Sequence, residues 1–334
     1  MVYLEFELLL GGEFPRVLGE LVDSARRRIY LASYVASLGG VVEDVYYGLA
    51  AKRRSGVDVR VVLDGVSRGA LRLNRGVVEL LRSLGVDCRL TRRLLHVKLY
   101  IVDDYSIVGS HNLVDPSATG RLDLSVMVYS RELADQLSNI LHWVLEGGSP
   151  PPAVYRGVVG DAYYEVHTGY SILHDVYEKT RLAGERVKAM MYIASLSRAT
   201  ERYYRLLREK QSEGVDVAVL LDGSEQTRSH NKPVHDYLRG LGVERVMLSE
   251  TPLHTKLLVI DDFVVTGSHN LTSASLAGRL ELTLTLKHRR LADALNHFFE
   301  NTWRQQLKRV GAYSPDSAGV PEPGQRGRAE APLA

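Results

Sequence analysis

The chain has 334 residues, with 42 lysines and arginines against 40 acids, and 45% of its residues are hydrophobic. This balance excludes a polycation and a disordered chain, and the length allows one large domain or two medium ones. Cys88 stands alone, so no internal disulfide is possible, and residues 1–7 carry acids where a secretory leader has bases. No later segment offers about 18 uncharged apolar residues in a row, so we expect a soluble cytoplasmic protein without a stable membrane anchor.

Helical spacing of apolar residues is read over 14–27, followed by a strand over 29–35 and an amphipathic helix over 41–54. Arg26 to Arg28 and Lys52 to Arg54 end predicted helices, where cations suit the dipole. An apolar strand then ends at Asp64-Gly65, and a helix at about 76–84 leads to a short strand near Cys88. Strands are expected over 94–102, 106–110 and 122–129, and Ser130 opens a closing helix. Residues 147–153, Gly-Gly-Ser-Pro-Pro-Pro-Ala, break both helix and strand. The expected domains are 1–148 and 157–308, joined by a linker at 149–156, with a Gly-, Pro- and Ala-rich disordered tail over 309–334. Strands apolar on both faces imply sheets covered by helices, so the fold class is α/β with a mixed sheet in each half.

The halves repeat one another. His96-Val97-Lys98, Asp103 and Gly109-Ser110-His111-Asn112 return as His254-Thr255-Lys256, Asp261 and Gly267-Ser268-His269-Asn270, at a constant offset of 158. Val57 to Gly65 matches Val215 to Gly223 at the same offset, whereas Leu31-Ala32-Ser33 is set against Ile193-Ala194-Ser195 at 162. This is duplication of a whole domain, and a reactive cluster present twice points to one active site built from two halves.

Along a strand, residues two apart share a face. His96 therefore projects with Lys98, and His254 with Lys256. Ser110 and Asn112 project together, as do Ser268 and Asn270. His111 and His269 point the other way and are read as structural. Asp103 and Asp261 lie seven residues past their histidines and on parity do not share the histidine face; they too are read as structural. The acids expected beside the histidines are Asp123 and Glu281, which each follow Gly-Arg-Leu. A carboxylate on Nδ1–H fixes the tautomer and leaves Nε2 to react.

Two imidazoles, two ammonium groups, two hydroxyls and two carboxamides suit a phosphodiester. Lys98 and Lys256, with Ser110, Ser268, Asn112 and Asn270, can hold non-bridging oxygens. A neutral histidine can attack phosphorus, and a protonated one can serve the leaving group. The lysines supply the positive charge, so neither a metal nor another cofactor is expected.

His-x-Lys-x4-Asp followed by Gly-Ser-x-Asn, present twice, resembles the phospholipase D superfamily of HKD phosphodiesterases, and the likeness runs to about residue 305. The resemblance implies a covalent phosphohistidine, a site on a pseudo-twofold axis between two α/β/α halves, His96 as nucleophile and His254 as acid and base. Where the family often has Asn two residues before the late acid, this chain has Arg121 and Arg279.

A lone strand histidine is usually a buried core residue, and Ser, Asn and loop arginines are usually turn formers or solvated. The paired pattern outweighs those readings for the motif residues. The substrate is less constrained. Arg68, Arg72, Arg75, Arg228, His230 and Lys232 follow the two Asp-Gly signals in expected loops, and Arg92 and Arg93 precede His96. Arg68, Arg72, Arg93, Arg228 and Lys232 are the candidates for a cationic groove, and Tyr34, Tyr100 and Tyr105 could stack on bases. Each half is also the size of the small nucleases of this superfamily that act as dimers. We therefore expect a nuclease, with nucleic acid as substrate and a monomer whose pseudo-dimeric site needs no second chain, although a homo-oligomer fits too. The alternative is a phospholipase D or phosphatidyl transferase acting on phospholipid head groups. A non-catalytic nucleic-acid-binding module fits less well, because both motifs keep histidine and lysine.

Overall fold

The structure, a computed structural model, describes residues 6–115, 120–148, 154–277 and 280–312. The first half runs β1 (Phe6–Leu10), α1 (Glu13–Ser24), β2 (Arg28–Ser33), α2 (Val41–Arg54), β3 (Asp58–Leu63), α3 (Arg68–Ser83), β4 (Asp87–Leu90), β5 (Leu99–Val102), β6 (Tyr105–Gly109), β7 (Leu124–Tyr129) and α4 (Arg131–Leu145). Its sheet has the order β1-β7-β6-β5-β2-β3-β4. The β2, β3 and β4 strands are parallel, and the remaining pairings are antiparallel.

The second half runs β8 (Val154–Val159), β9 (Ala162–Thr168), α5 (Ser171–Leu182), β10 (Arg186–Met191), α6 (Arg198–Ser212), β11 (Asp216–Asp222), α7 (Glu225–Gly240), β12 (Arg245–Ser249), β13 (Lys256–Ile260), β14 (Phe263–Gly267), α8 (Ser273–Ala277), β15 (Leu282–Lys287) and α9 (Arg289–Ala312). The sheet order, β12-β11-β10-β13-β14-β15-β9-β8, repeats the first and adds β8 at the edge. The α/β class with two mixed sheets is as expected.

Three apolar clusters tie these layers together. One packs α1 to α3 against the first sheet, and another packs α5 to α7 against the second. The third joins the halves, with Val97, Leu99, Val126 and Leu137 of the first half among Val166, Leu257, Leu284 and Phe299 of the second. Each sheet is thus covered on both faces, which is why β2, β3, β10 and β11 read as near-continuous apolar runs.

Several element boundaries differ from expectation. The strand expected over 94–102 begins at Leu99, because the backbone before it pairs with the other half. His96 N–H donates to Leu280 O at 3.0 Å, and Leu280 N–H donates to Leu94 O at 3.3 Å. The residues read as basic loops are helical: Arg68 and Arg72 lie in α3, and Arg228 and Lys232 lie in α7. Each helix follows a serine in the extended N-cap conformation, Ser67 or Ser224. Residues 154–156 of the expected linker already belong to β8, and α9 extends to Ala312, past the expected start of the tail. The remaining linker residues 149–153, tail residues 313–334 and Arg279 lie outside the described residues. The offset of 162 was a misalignment: Tyr34-Val35-Ala36-Ser37-Leu38 matches Tyr192-Ile193-Ala194-Ser195-Leu196 at 158. The structure pairs Ala36 with Leu113 and Ala194 with Leu271 in the same way.

Candidate active site

The histidines sit where the halves exchange backbone. Leu95 bridges Leu280, and Leu253 bridges Leu122, so equivalent residues swap partners as a twofold contact requires. Each pre-histidine segment is also pinned from its own half. Leu95 N–H donates to the fully buried Asp64 at 2.9 Å, and Leu253 N–H donates to Asp222 at 2.7 Å.

This docking crosses the acids. His96 Nδ1 lies 3.0 Å from Glu281 Oε2, and His254 Nδ1 lies 2.7 Å from Asp123 Oδ1. His96 and His254 are each held by the carboxylate of the opposite half. An ionised carboxylate can only accept, so Nδ1 carries the proton and Nε2 keeps its lone pair. His96 Nδ1 also lies 3.1 Å from Ser268 O.

The lysines are buried beside them. Lys98 Nζ donates to His96 O at 2.8 Å, and Lys256 Nζ donates to His254 O at 2.6 Å. Tyr34 and Tyr192 wedge each pair, with ring centroids 4.9 Å from His96 and 4.6 Å from His254. Lys98 lies 5.2 Å from the Tyr34 centroid, and Lys256 lies 4.9 Å from that of Tyr192. Tyr34 therefore packs on a histidine rather than offering a face for base stacking. Tyr192 escaped the sequence reading because of the misaligned offset. Asn74 and Asn231 escaped it too, since a buried Asn in a helix has no local signal. They hold the same loops: Asn74 accepts from Ala36 N–H and donates to Tyr34 O and Asp64 O, and Asn231 repeats the pattern with Ala194, Tyr192 and Asp222.

Burial pushes His96 down to about 4 against the pull of Glu281, with Lys98 and Lys256 lowering it further. Burial, with Lys256 and Lys98 adding to it, pushes His254 down to about 3 against Asp123. That both lysines act on both histidines makes this one electrostatic site. Burial beside Lys98 holds the Lys256 ammonium well below its ordinary range. Burial pulls Asp123 and Glu281 upward, but their histidine partners outweigh it and hold both below the usual carboxylate range. At neutral pH the site thus has two neutral imidazoles and two ionised acids. The protonated histidine expected from sequence is not its resting state.

The serines require a correction. Ser110 Oγ donates to Asp123 at 2.5 Å, and Ser268 Oγ donates to Glu281, while each oxygen accepts the N–H of Leu124 or Leu282 at 3.0 Å. Their protons go to the acids just before the neighbouring strands β7 and β15 rather than to phosphate. The glycines before them are needed there, since a Cβ at Gly109 or Gly267 would strike the carbonyl of Leu124 or Leu282. Asn112 and Asn270 each direct their carboxamide oxygen to a backbone amide, of Val35 at 3.3 Å and Ile193 at 3.2 Å, which leaves the NH2 as the group a phosphate could use. His111 hydrogen-bonds Ser125 Oγ and Gly11 O, and His269 reaches Thr283.

Asp103 and Asp261 lie away from the site. They turn with φ of 51° and 49°, and cap the amides of Arg26 to Arg28 and of Gly184 to Arg186. A cavity of about 180 Å³ opens beside His254 and Asp123, walled by Val35, Leu73 and Val114 with Asn112 and Arg121. Arg121 lies 5.5 Å over Tyr192 and donates to Gln226.

A family model described as "Cardiolipin synthase, PLD-like domain" matches residues 18–145 and 179–303. The chain belongs to the phospholipase D superfamily. Its sequence is 22% identical over 301 residues to cardiolipin synthase A of Proteus mirabilis, covering 79% of this chain and 62% of that protein. It is 28% identical over 181 residues to cardiolipin synthase A of Buchnera aphidicola, covering 48% of this chain and 33% of that one. The chain thus spans less than two thirds of the length of these curated relatives. Its fold is that of phosphatidylserine synthase from Haemophilus influenzae, at a TM-score of 0.72 and 14% identity, covering 90% of this chain and 86% of that one.

These likenesses overturn the expectation of a nuclease and of nucleic acid as substrate. Of the basic residues behind that expectation, Arg68, Arg72, Arg228 and Lys232 lie on helices. None of Arg68, Arg72, Arg93, Arg228 and Lys232 lines the cavity beside His254, and Lys232 is paired with Asp236. What remains is an enzyme of the phospholipase D superfamily whose named relatives are phospholipid synthases.

Proposed function

We propose that the chain acts on phospholipids, transferring a phosphatidyl group to water or to an alcohol through a phosphohistidine. The observation that carries this reading is the pair of crossed imidazole–carboxylate contacts between two buried lysines. The names of the relatives and the apolar cavity walls at Val35, Leu73 and Val114 support phospholipid as the substrate.

Burial depresses the histidines first, and the lysines add to it. A phosphodiester anion between Lys98 and Lys256 offsets the lysine charge, so binding favours protonation of one histidine. His96 Nε2 gives its lone pair to phosphorus as the bond to the head-group oxygen breaks. His254 gives its Nε2 proton to that oxygen. Water or an alcohol then gives a proton back to His254 and attacks phosphorus, and the N–P bond breaks. His254 suits the acid and base role because it lines the cavity through which the acceptor arrives. His96 suits attack because Glu281, which orients it, is wholly buried and also accepts from Ser275 at 2.5 Å.

The test is an acid quench of the enzyme during turnover of phospholipid labelled at phosphorus. Label is expected on His96 and absent in His96→Ala. Label on His254 alone would reverse the roles, and no covalent label with active enzyme would end the proposal.

A further inference from the structure

An exposed leucine recurs in each loop that sets a tyrosine against a histidine. The loop that carries Tyr34 against His96 continues to Leu38, and the loop that carries Tyr192 against His254 continues to Leu196. The two leucines are equivalent at the offset of 158, and they are 48% and 41% exposed. Chemistry does not need them, and an isolated exposed leucine is ordinary. These two are not isolated. Leu38 packs beside Gly76 of α3, the helix whose half-exposed Leu73 lines the cavity at His254. Val41 and Val66 are exposed at the starts of α2 and α3. In the second half Tyr170, 65% exposed, follows the end of β9 that pairs with Leu282, next to Glu281.

Cations stand among these groups. Arg68 and Arg72 lie on the first two turns of α3, and Arg198 and Arg202 lie on the first two turns of α6, two and six residues past Leu196. An apolar rim set with tyrosine and arginine is the composition of a surface that rests in the interfacial layer of a membrane. Anionic lipid complements the arginines. Among the described residues no helix is long and apolar enough to cross a membrane, so attachment by these residues would be by surface contact.

We infer that the rim marked by Leu38 and Leu196 docks the active-site mouth on an anionic phospholipid bilayer, so that a lipid head group enters between the histidines without the lipid leaving the membrane. This rests on the phospholipid reading above and adds to it how the substrate is delivered. The leucines enter the interfacial layer on both sides of the mouth, and the arginines lie at phosphate level.

The experiment compares the full chain with the Leu38→Ser/Leu196→Ser double variant. It measures co-sedimentation with vesicles of phosphatidylcholine alone or with phosphatidylglycerol added, and turnover of a short-chain phospholipid below its micelle concentration. The wild type is expected to bind the anionic vesicles, and the variant to bind them at least about tenfold more weakly. Turnover of the monomeric lipid should stay within about twofold, since the leucines touch no reacting group. A tryptophan at either position (Leu38→Trp, Leu196→Trp) should shift its emission to shorter wavelength on anionic vesicles.

Failure of the wild type to bind vesicles would overturn the inference, as would equal binding by the variant. Self-association through the same leucines without vesicle binding would overturn it too. Monomeric lipid left unhydrolysed by the wild type would instead defeat the phospholipid reading, so the two failures are distinguishable.

Discussion

The halves agree around the histidines and disagree behind them. The strand before α1 carries Leu9, and α1 turns Val17 and Leu21 inward, all in one apolar cluster. At the same offset of 158 the second half has His167, Asp175 and Lys179. His167 Nε2 lies 3.2 Å from Glu165 and 3.3 Å from Asp175, and Lys179 reaches Glu165 at 2.6 Å and also Asp175. Thr285, where the first half has Met127, donates to Asp175 at 2.7 Å. The layer behind β1 and β9 needs only to be filled, and an apolar cluster or an ionic network can fill it. The His, Lys and acid positions take part in the reaction from both sides, and both halves keep them.

This contrast can be broken in order of expected effect. Removing either reacting imidazole, as in His96→Ala or His254→Ala, should lower turnover of phospholipid by about 10³-fold or more. A drop below tenfold for either would separate that histidine from the chemistry. Loss of an orienting acid, in Glu281→Gln or Asp123→Asn, should cost about 10²–10⁴-fold with little change in KM, because the ring loses its tautomer preference; steady-state kinetics decide this.

Behind the site the effect passes to stability. Asp175→Ala leaves the buried His167 and the half-buried Lys179 short of a partner and should destabilise by roughly 3–5 kcal/mol in denaturant unfolding. The set His167→Leu, Asp175→Val, Lys179→Leu and Thr285→Met, which copies the first half, should be neutral or stabilising by about 1–4 kcal/mol. A loss as large as that of Asp175→Ala would show that the network is needed for more than filling space.

The last effect is a pH slope, spread over several sites rather than one. His96 and His269 are pushed down to about 4 and His254 to about 3, in each case first by burial. Unfolding returns them to about 6.5, so the unfolded chain binds more protons as the medium is acidified. Their contribution to stability is complete above pH 6.5 and is lost as pH falls toward 4. Glu165 and Asp175 outweigh burial and raise His167, which works the other way; its contribution is present below 6.5 and fades as pH rises. Burial also lowers His111, and these four depressed imidazoles should dominate, so Tm should fall steadily from pH 7 to pH 5. A flat or rising Tm would contradict the neutral assignment.

Much of this molecule was legible beforehand because the duplication repeats local signals. His96-x-Lys98 and His254-x-Lys256 mark the site, and strand parity sets Asp103 and Asp261 off the histidine face. What stayed hidden depends on how the halves dock. Nothing local in Glu281 says that it will serve His96 rather than His254; that follows from Leu280 pairing with Leu95. The start of α3 was hidden because Arg68, Gly69, Arg72 and Gly76 dilute its apolar period. The rotation of Ser110 and Ser268 toward the acids depends on which strand lies beside them, and spacing does not encode that.

The crossed pairing is the central claim, and proton NMR of the Nδ1–H resonances in the empty enzyme tests it most directly. Two low-field imidazole protons are expected in the wild type, one from each histidine. Glu281→Gln should displace the signal of His96 and leave that of His254, and Asp123→Asn should do the reverse. Displacement of the His254 signal by Glu281→Gln, with His96 unmoved, would contradict the crossed site.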